Sequence, residues 1–172
     1  MRRLALIAVC ACMFLGGCAG DIATTDTEGR SRLAPVAEAQ RWVGKDAHQN
    51  RTELKKLMAA GNQGHPVDPA VTPWCAGFMN AMLTKTGWGS TNSLAARSFL
   101  NYGARTKDPN EGDIVVLRRG HSNWTGHVGF FMGYEYYDGT TYVKVLGGNT
   151  NRSVDMGYFP VNRILGFRRL NS

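Results

Sequence analysis

The sequence predicts an α+β domain in which a buried helix packs against an antiparallel sheet. Three observations support this prediction. Helical patterns fill the first half of the chain and strand patterns the second, with the change after Pro109. The segment TPWCAGFMNAML, residues 72–83, is apolar nearly all round, which is typical of a central helix. Helices followed by strands favour an α+β architecture over alternating units.

Apolar periodicity predicts four helices, each followed by a polar or glycine-containing break. Thr72 is expected to cap the third helix, and Pro73 to occupy its first turn, where a missing N–H costs nothing. The approximate bounds of the four helices are 35–43, 50–60, 73–85 and 93–102.

The second half of the chain predicts about five strands, because it is rich in β-branched and aromatic residues. Asp138-Gly139 is a hairpin signal between the second and third of them. The predicted strands are residues 113–118, 127–137, 141–146, 153–159 and 164–169.

The first residues, MRRLALIAVCACMFLGGC, have the pattern of a signal peptide. The apolar run 4–15 is too short to span a bilayer. The stretch from Leu15 to Cys18 resembles a bacterial lipobox, which implies that Cys18 becomes a lipidated first residue. The alternative is an ordinary secretory signal. The expected organisation is a signal peptide at 1–17, a lipidated cysteine and flexible tether at 18–34, and one domain at 35–172.

Lipid chains on Cys18 would hold the protein on a membrane, since several acyl chains make a stable anchor. Ala19 is not the aspartate that resembles an inner-membrane retention signal, so we expect the periplasmic face of the outer membrane. The formal charge is +7 and falls to +5 without the two arginines of the signal. A moderately basic domain suits an anionic neighbour such as cell wall or lipid headgroups. We expect a monomer with no nucleic-acid partner.

Cys75 is the one cysteine left inside the predicted domain, because Cys10 and Cys12 leave with the signal and Cys18 carries lipid. A single thiol in an exported protein cannot build a disulfide framework. Such a thiol is either buried and inert or retained for chemistry. At a helix start, unpaired N–H groups and the helix dipole favour the thiolate, which is the nucleophilic form.

A nucleophilic cysteine needs a base and a group that orients the base. His127 begins an apolar strand, where its side chain can meet a helix start, although it can equally be a plain strand-end residue. Of the other histidines, His48 and His65 read as surface residues, and His121 lies in a Gly-rich loop. Pairing around the hairpin brings Asn149 close to His127, and its carbonyl could orient the ring; as an alternative, Asn149 is only a turn residue.

The blocks TPWCAGFMNAML, SLAARSFLNYG, EGDIVVLRRG, GHVGFFMG and VLGGNT together resemble the NlpC/P60 peptidoglycan hydrolases, in a compact subgroup with tryptophan before the cysteine. The resemblance covers roughly residues 35–170. It implies a papain-like α+β fold with Cys75 as nucleophile, His127 as base and Asn149 as the polar third residue. It also implies cleavage of amide bonds in peptidoglycan stem peptides, without a cofactor.

Four further residues are candidates for binding substrate. Trp74 and Trp124 can form walls of a groove, or else belong to the core. Ser93 and Arg97 could bind a carboxylate of the stem peptide, although an exposed helix arginine is the plainer reading. We expect no metal, because the chain has no His-x-x-x-His or Cys-x-x-Cys spacing.

The sequence therefore predicts a lipid-anchored cysteine hydrolase that acts on peptidoglycan. Two alternatives remain open from the residues. A thiol acyltransferase would keep the thioester but pass the acyl group to an amine or lipid. A non-catalytic wall-binding or scaffold lipoprotein would keep only the fold.

Overall fold

The computed structural model describes residues 25–26 and 28–171. The predicted signal peptide and Cys18 lie outside the described residues. Within the described part, no helix is both long enough and apolar enough to cross a bilayer.

Among the described residues, three α-helices and two short 3₁₀ helices form, with α1 at Ala34–Gln40, α2 at Arg51–Gly61 and α3 at Cys75–Lys85. The 3₁₀ helices are Ala96–Asn101 and Val161–Arg163. The first of these replaces most of the fourth predicted helix. The start of α3 differs from the prediction as well, since the helix begins at Cys75 and not at Pro73.

Helix α3 starts later because a turn precedes it, and no sequence motif predicts that turn. The carbonyl of Asp68 accepts hydrogen bonds from the N–H groups of Val71 and Thr72. Thr72 therefore belongs to this turn. Trp74 takes the N-cap position, and no side chain caps the helix.

In the part of the chain that the structure describes, six strands form one antiparallel sheet, which confirms the predicted α+β class. Their order across the sheet is β1-β6-β2-β3-β4-β5. All five predicted strands are present, and the additional edge strand has only three residues, too few to show an alternating pattern. The strands are β1 (Ala104–Thr106), β2 (Ile114–Arg118), β3 (Gly126–Tyr137), β4 (Thr140–Thr150), β5 (Ser153–Pro160) and β6 (Ile164–Arg169).

Helix α3 lies at the centre of the main hydrophobic core, as its composition predicts. Every residue from Cys75 to Leu83 is buried. On one side the helix packs against α2, where a Cβ on Gly61 would come within 2.3 Å of the Ala81 nitrogen. On the other side it faces β3 and β4, whose Val128 and Leu146 belong to the same core. The start of α3 is thereby fixed against the sheet.

The opposite face of the sheet carries a second, smaller cluster, which includes Leu117, Val145 and Phe167. Successive residues of a strand point to opposite faces. Residues of β3 therefore alternate between the core that holds α3 and this second cluster.

The described part of the predicted tether is attached to the domain, which differs from the expected flexible segment. Asp26 accepts hydrogen bonds from the backbone N–H groups of Glu28 and Arg30. The Arg30 guanidinium lies 4.6 Å from the centroid of the Trp88 ring and donates to the carbonyl of Gly87. This turn, rather than free coil, leads into α1.

Candidate active site

Cys75 is the first residue of α3, and its position follows from the late helix start. The first hydrogen bond of the helix joins the Phe78 N–H to the Trp74 carbonyl. In the described part of the chain, no oxygen accepts the N–H of Cys75 or of Ala76. The capping of the Cys75 N–H by Thr72, which the sequence predicts, does not occur. Both N–H groups remain available at the helix start.

The sulfur of Cys75 lies beside the backbone of β3 at Val128. The paired register of β3 and β4 ends at Phe130 and Leu146, and the N–H of Val128 faces the Cys75 sulfur. Beyond this point β4 packs closely on α3, since a Cβ on Gly148 would come within 2.6 Å of the Phe78 side chain. The thiol is therefore enclosed between the helix start and the strand backbone.

Burial raises the pKa of the Cys75 thiol above its usual value. The N–H groups of Val128 and Ala76 and the charge of Arg119 oppose this effect but do not outweigh it. The thiol is only 3% exposed. The thiolate that a helix start favours is thus not the resting form, because desolvation penalises the charged state more than the helix start stabilises it.

His127 is the second residue of β3 and is buried. It pairs with Leu117, and its ring lies 5.2 Å from the ring of Phe159. Burial, together with the positive charges of Arg119 and Arg163, lowers the pKa of His127 to about 4. The imidazole is therefore neutral at pH 7. Its Nε2 atom is buried and has no hydrogen-bond partner in the described structure.

Asn149 lies near the end of β4 and lines the same cavity as His127. Extending the β3–β4 register beyond its last pair places Asn149 opposite His127. Asn149 has a φ of 61°, a conformation that asparagine tolerates better than most residues. Among the described residues no hydrogen bond joins its side chain to the imidazole.

The Cys75 sulfur faces the backbone N–H of Val128, the residue that follows His127. Val128 packs in the core that contains Cys75, whereas His127 shares the face of Leu117 and contacts Phe159. In the described part of the chain no hydrogen bond links the Cys75 sulfur to His127. The three predicted residues thus cluster around the first turn of α3 and the facing strand ends, with His127 and Asn149 on one cavity.

Residues 67–149, which include all three of these residues, match the family model of the CHAP domain. The CHAP domain belongs to the papain-like cysteine peptidase and amidase superfamily, which also includes NlpC/P60, and residues 67–149 are similar to it. The resemblance is confirmed at that level. No curated protein matches the chain significantly.

CHAP domains are typically amidases or peptidases, so the match indicates a hydrolase of peptidoglycan in general terms. The matched range includes Cys75 and His127 and ends at Asn149. It also includes the turn before α3 and the whole β2–β3 connection.

The two tryptophans predicted to bind substrate differ in their exposure. Trp74 is fully buried and packs edge-on against Phe78, with ring centroids 6.1 Å apart. It is a core residue and not an exposed wall of a groove, because β4 closes over it at Gly148. Trp124 is 79% exposed in the loop between β2 and β3 and remains available for contact.

Ser93 and Arg97 have structural partners that the sequence could not show. The Ser93 hydroxyl accepts the N–H of Ala95, and its carbonyl accepts the amide of Asn80. Arg97 donates to the carbonyls of Thr125 and Ser122, at 2.9 Å and 3.0 Å. Its guanidinium thus holds the β2–β3 loop.

A cavity of about 350 Å³ beside His127 contains functional candidates that the sequence reasoning missed. Its wall includes Arg119, Arg152 and Arg163, from three different loops. Only the run Arg118-Arg119 before Gly120 gave a local signal, as an exposed basic loop. In the described residues no three His, Cys, Asp or Glu side chains are grouped so as to bind a metal.

Proposed function

We propose that the chain is a cysteine hydrolase that cleaves an amide bond in peptidoglycan stem peptides. The observation that carries this proposal is the position of the Cys75 thiol at the start of α3, against the backbone next to His127. The CHAP match over the same residues supplies the substrate class.

In the proposed reaction the Cys75 sulfur attacks the carbonyl carbon of the scissile amide, and its proton passes to His127. The N–H groups of Cys75 and Ala76 hold the oxygen that becomes negative. His127 then gives the proton to the leaving amine, and a thioester forms on Cys75. Water deprotonated by His127 hydrolyses the thioester, which releases the carboxylic acid and restores the thiol.

The resting protonation states favour a general-base mechanism over a preformed ion pair. Burial leaves both the thiol and the imidazole uncharged. Nε2 of His127 has no partner within the described chain and can accept a proton. The reaction requires the two side chains to approach each other when substrate binds, as catalytic hydrogen bonds often tighten only in the complex. Asn149 would then orient the ring through its side-chain carbonyl.

The test is the release of fragments from purified peptidoglycan sacculi, identified by mass spectrometry. We expect fragments from the native protein and none from Cys75→Ala or His127→Gln. Asn149→Gly keeps the left-handed backbone position without the side chain, and should slow release by about tenfold or more, the scale of a lost contribution to proton transfer. His65→Gln, at an exposed histidine, is the matched control and should be fully active. Equal release by Cys75→Ala would overturn the proposal.

A second candidate is a non-catalytic protein that binds the cell wall through the same fold. The specific observation in its favour is the enclosed thiol, which is 3% exposed and has no hydrogen bond to His127 in the described structure. This candidate predicts that the protein sediments with sacculi, releases no fragment, and binds equally well as Cys75→Ala.

We also propose that the protein is anchored in the cell envelope through acylated Cys18. The support is the lipobox-like sequence before that residue. Bacteria grown with labelled palmitate should incorporate label into the native chain and not into Cys18→Ser, and the native chain should fractionate with outer membranes. Equal labelling of both proteins would contradict the anchor.

A further inference from the structure

The cavity beside His127 is positively charged on several sides and has no acidic residue in its wall. Arg119 follows β2, Arg152 lies in the turn between β4 and β5, and Arg163 ends the second 3₁₀ helix. The polar groups of Asn149 and Asn151 complete the wall. Three separate segments therefore converge on one space with the same sign of charge.

Two of the three arginines are held in place by the fold. Arg163 donates from Nε to the carbonyl of Arg118 at 3.0 Å, and its guanidinium lies 5.1 Å from the Phe159 ring centroid. Arg152 donates from Nη1 to His48 at 3.4 Å. The backbone carbonyl of Arg119 accepts the Thr125 hydroxyl at 2.6 Å. The Arg119 guanidinium has no hydrogen bond or ion pair in residues 25–26 and 28–171, so no acidic side chain there neutralises its charge.

The backbone that carries part of this wall is strained. Asn149, Asn151 and Arg152 all have left-handed φ angles, of 61°, 49° and 68°. Such conformations cost energy for residues other than glycine and are concentrated at binding and catalytic sites. For Arg152 in particular, no local side-chain preference explains the conformation.

We propose that this cavity binds a free carboxylate of the stem peptide next to the bond that is cut. The inference rests on the proposed function and deepens it by assigning the part of the substrate that is recognised. Guanidinium groups bind carboxylates through paired, charge-assisted hydrogen bonds. Arg119 acts electrostatically on both Cys75 and His127, so a carboxylate bound to it lies beside the reacting groups.

The cavity takes the role of binding the carboxylate, for which Arg97 was one candidate in the sequence. Arg97 donates hydrogen bonds to the carbonyls of Ser122 and Thr125. Because those residues belong to the loop that begins at Arg119, Arg97 positions this loop and does not contact the carboxylate.

Binding to the full chain in detergent, carrying Cys75→Ala to prevent turnover, tests the inference separately from hydrolysis. The two probes are a stem-peptide fragment of peptidoglycan with free carboxylates and the same fragment with those carboxylates amidated. Calorimetry should give a Kd about tenfold or more lower for the free acid, since hydrogen bonds between charged groups are stronger than those between neutral groups. Equal affinity for both probes would overturn the carboxylate site.

Arg119→Gln is the most informative second change, because the Arg119 guanidinium makes no hydrogen bond or ion pair in the described structure. The substitution also keeps the backbone carbonyl that accepts the Thr125 hydroxyl. In this variant the ratio of the Kd for the amidated fragment to the Kd for the free acid should fall to about one. Arg105→Gln, at an exposed arginine of β1, is the matched control and should keep the preference. An undiminished preference in Arg119→Gln would overturn the assignment, as would tighter binding of glycerol phosphate than of the free acid. Absence of fragments from sacculi would instead count against the proposed hydrolase alone.

Discussion

Protonation of His127 should destabilise the folded protein as the pH falls from neutrality to about 4. In the folded state burial and two nearby arginines lower its pKa from 6.5 to about 4. In the unfolded chain the pKa returns to its ordinary value. Between those two values the unfolded state binds the proton and the folded state does not, so the free energy of unfolding decreases as the pH falls.

The size of the effect follows from the lowered pKa. Each pKa unit corresponds to about 1.4 kcal/mol. A pKa near 4 therefore predicts a loss of about 1.4 kcal/mol between pH 7 and 5.5, and about 3 kcal/mol by pH 4. The carboxyl groups whose pKa is lowered, such as Asp46 and Asp68, destabilise the fold at still lower pH as they become protonated.

The assay is urea denaturation between pH 4 and 7 of a protein that begins near Thr24, compared with His127→Gln. Glutamine does not titrate, so the difference between the two proteins isolates the histidine and cancels the carboxyl groups. We expect the native protein to lose about 3 kcal/mol more than the variant over this range. His65→Gln should behave as the native protein does. Parallel pH dependences for native protein and His127→Gln would refute a buried, uncharged imidazole.

Three further predictions concern the packing and the thiol. Gly148→Ala should destabilise the protein by about 1–3 kcal/mol through overpacking, whereas Gly89→Ala, where a Cβ meets nothing within 4 Å, should be nearly neutral; equal urea midpoints would contradict this. Arg169→Met should cost about 2 kcal/mol in urea denaturation because buried Asp113 loses its partner, and Arg169→Lys should recover part of that loss. Cys75 should react with iodoacetamide at pH 8 more than about tenfold more slowly than free cysteine, since burial raises its pKa; an equal rate would contradict the enclosed thiol.

The sequence predicts the elements whose signal is local. The segment around Phe78 and Met82 is apolar on all sides, and a helix of that kind must be central. The strands of the second half are similarly clear from composition. The sequence does not predict the start of α3, because the start depends on a turn in which the Asp68 carbonyl accepts a hydrogen bond from the Thr72 N–H. No single residue type specifies that turn.

The sequence nominates the members of the candidate site but does not show their environment. Cys75 and His127 stand out because few chemically reactive residues remain in the domain. Their pKa shifts depend on which residues bury them, and these residues include parts of β4 and β5, which lie far along the chain. Arg97 illustrates the same limit, since its partner carbonyl on Thr125 is 28 residues away. A helix arginine whose partner lies on a distant loop looks, in sequence, like a free one.

The arginines around His127 connect substrate binding to the protonation of the base. Arg119 and Arg163 lower the pKa of the imidazole, and the other charged or titratable groups that line the cavity are Arg152 and Tyr158, with no carboxylate among them. A carboxylate bound to these arginines opposes their charge and therefore raises the pKa of His127 toward its ordinary value. An imidazole with a higher pKa accepts the thiol proton more readily, because the ideal catalytic base has a pKa near the working pH. On this argument a substrate with a free carboxylate would make His127 a stronger base as it binds. An amidated substrate would leave His127 a weak base.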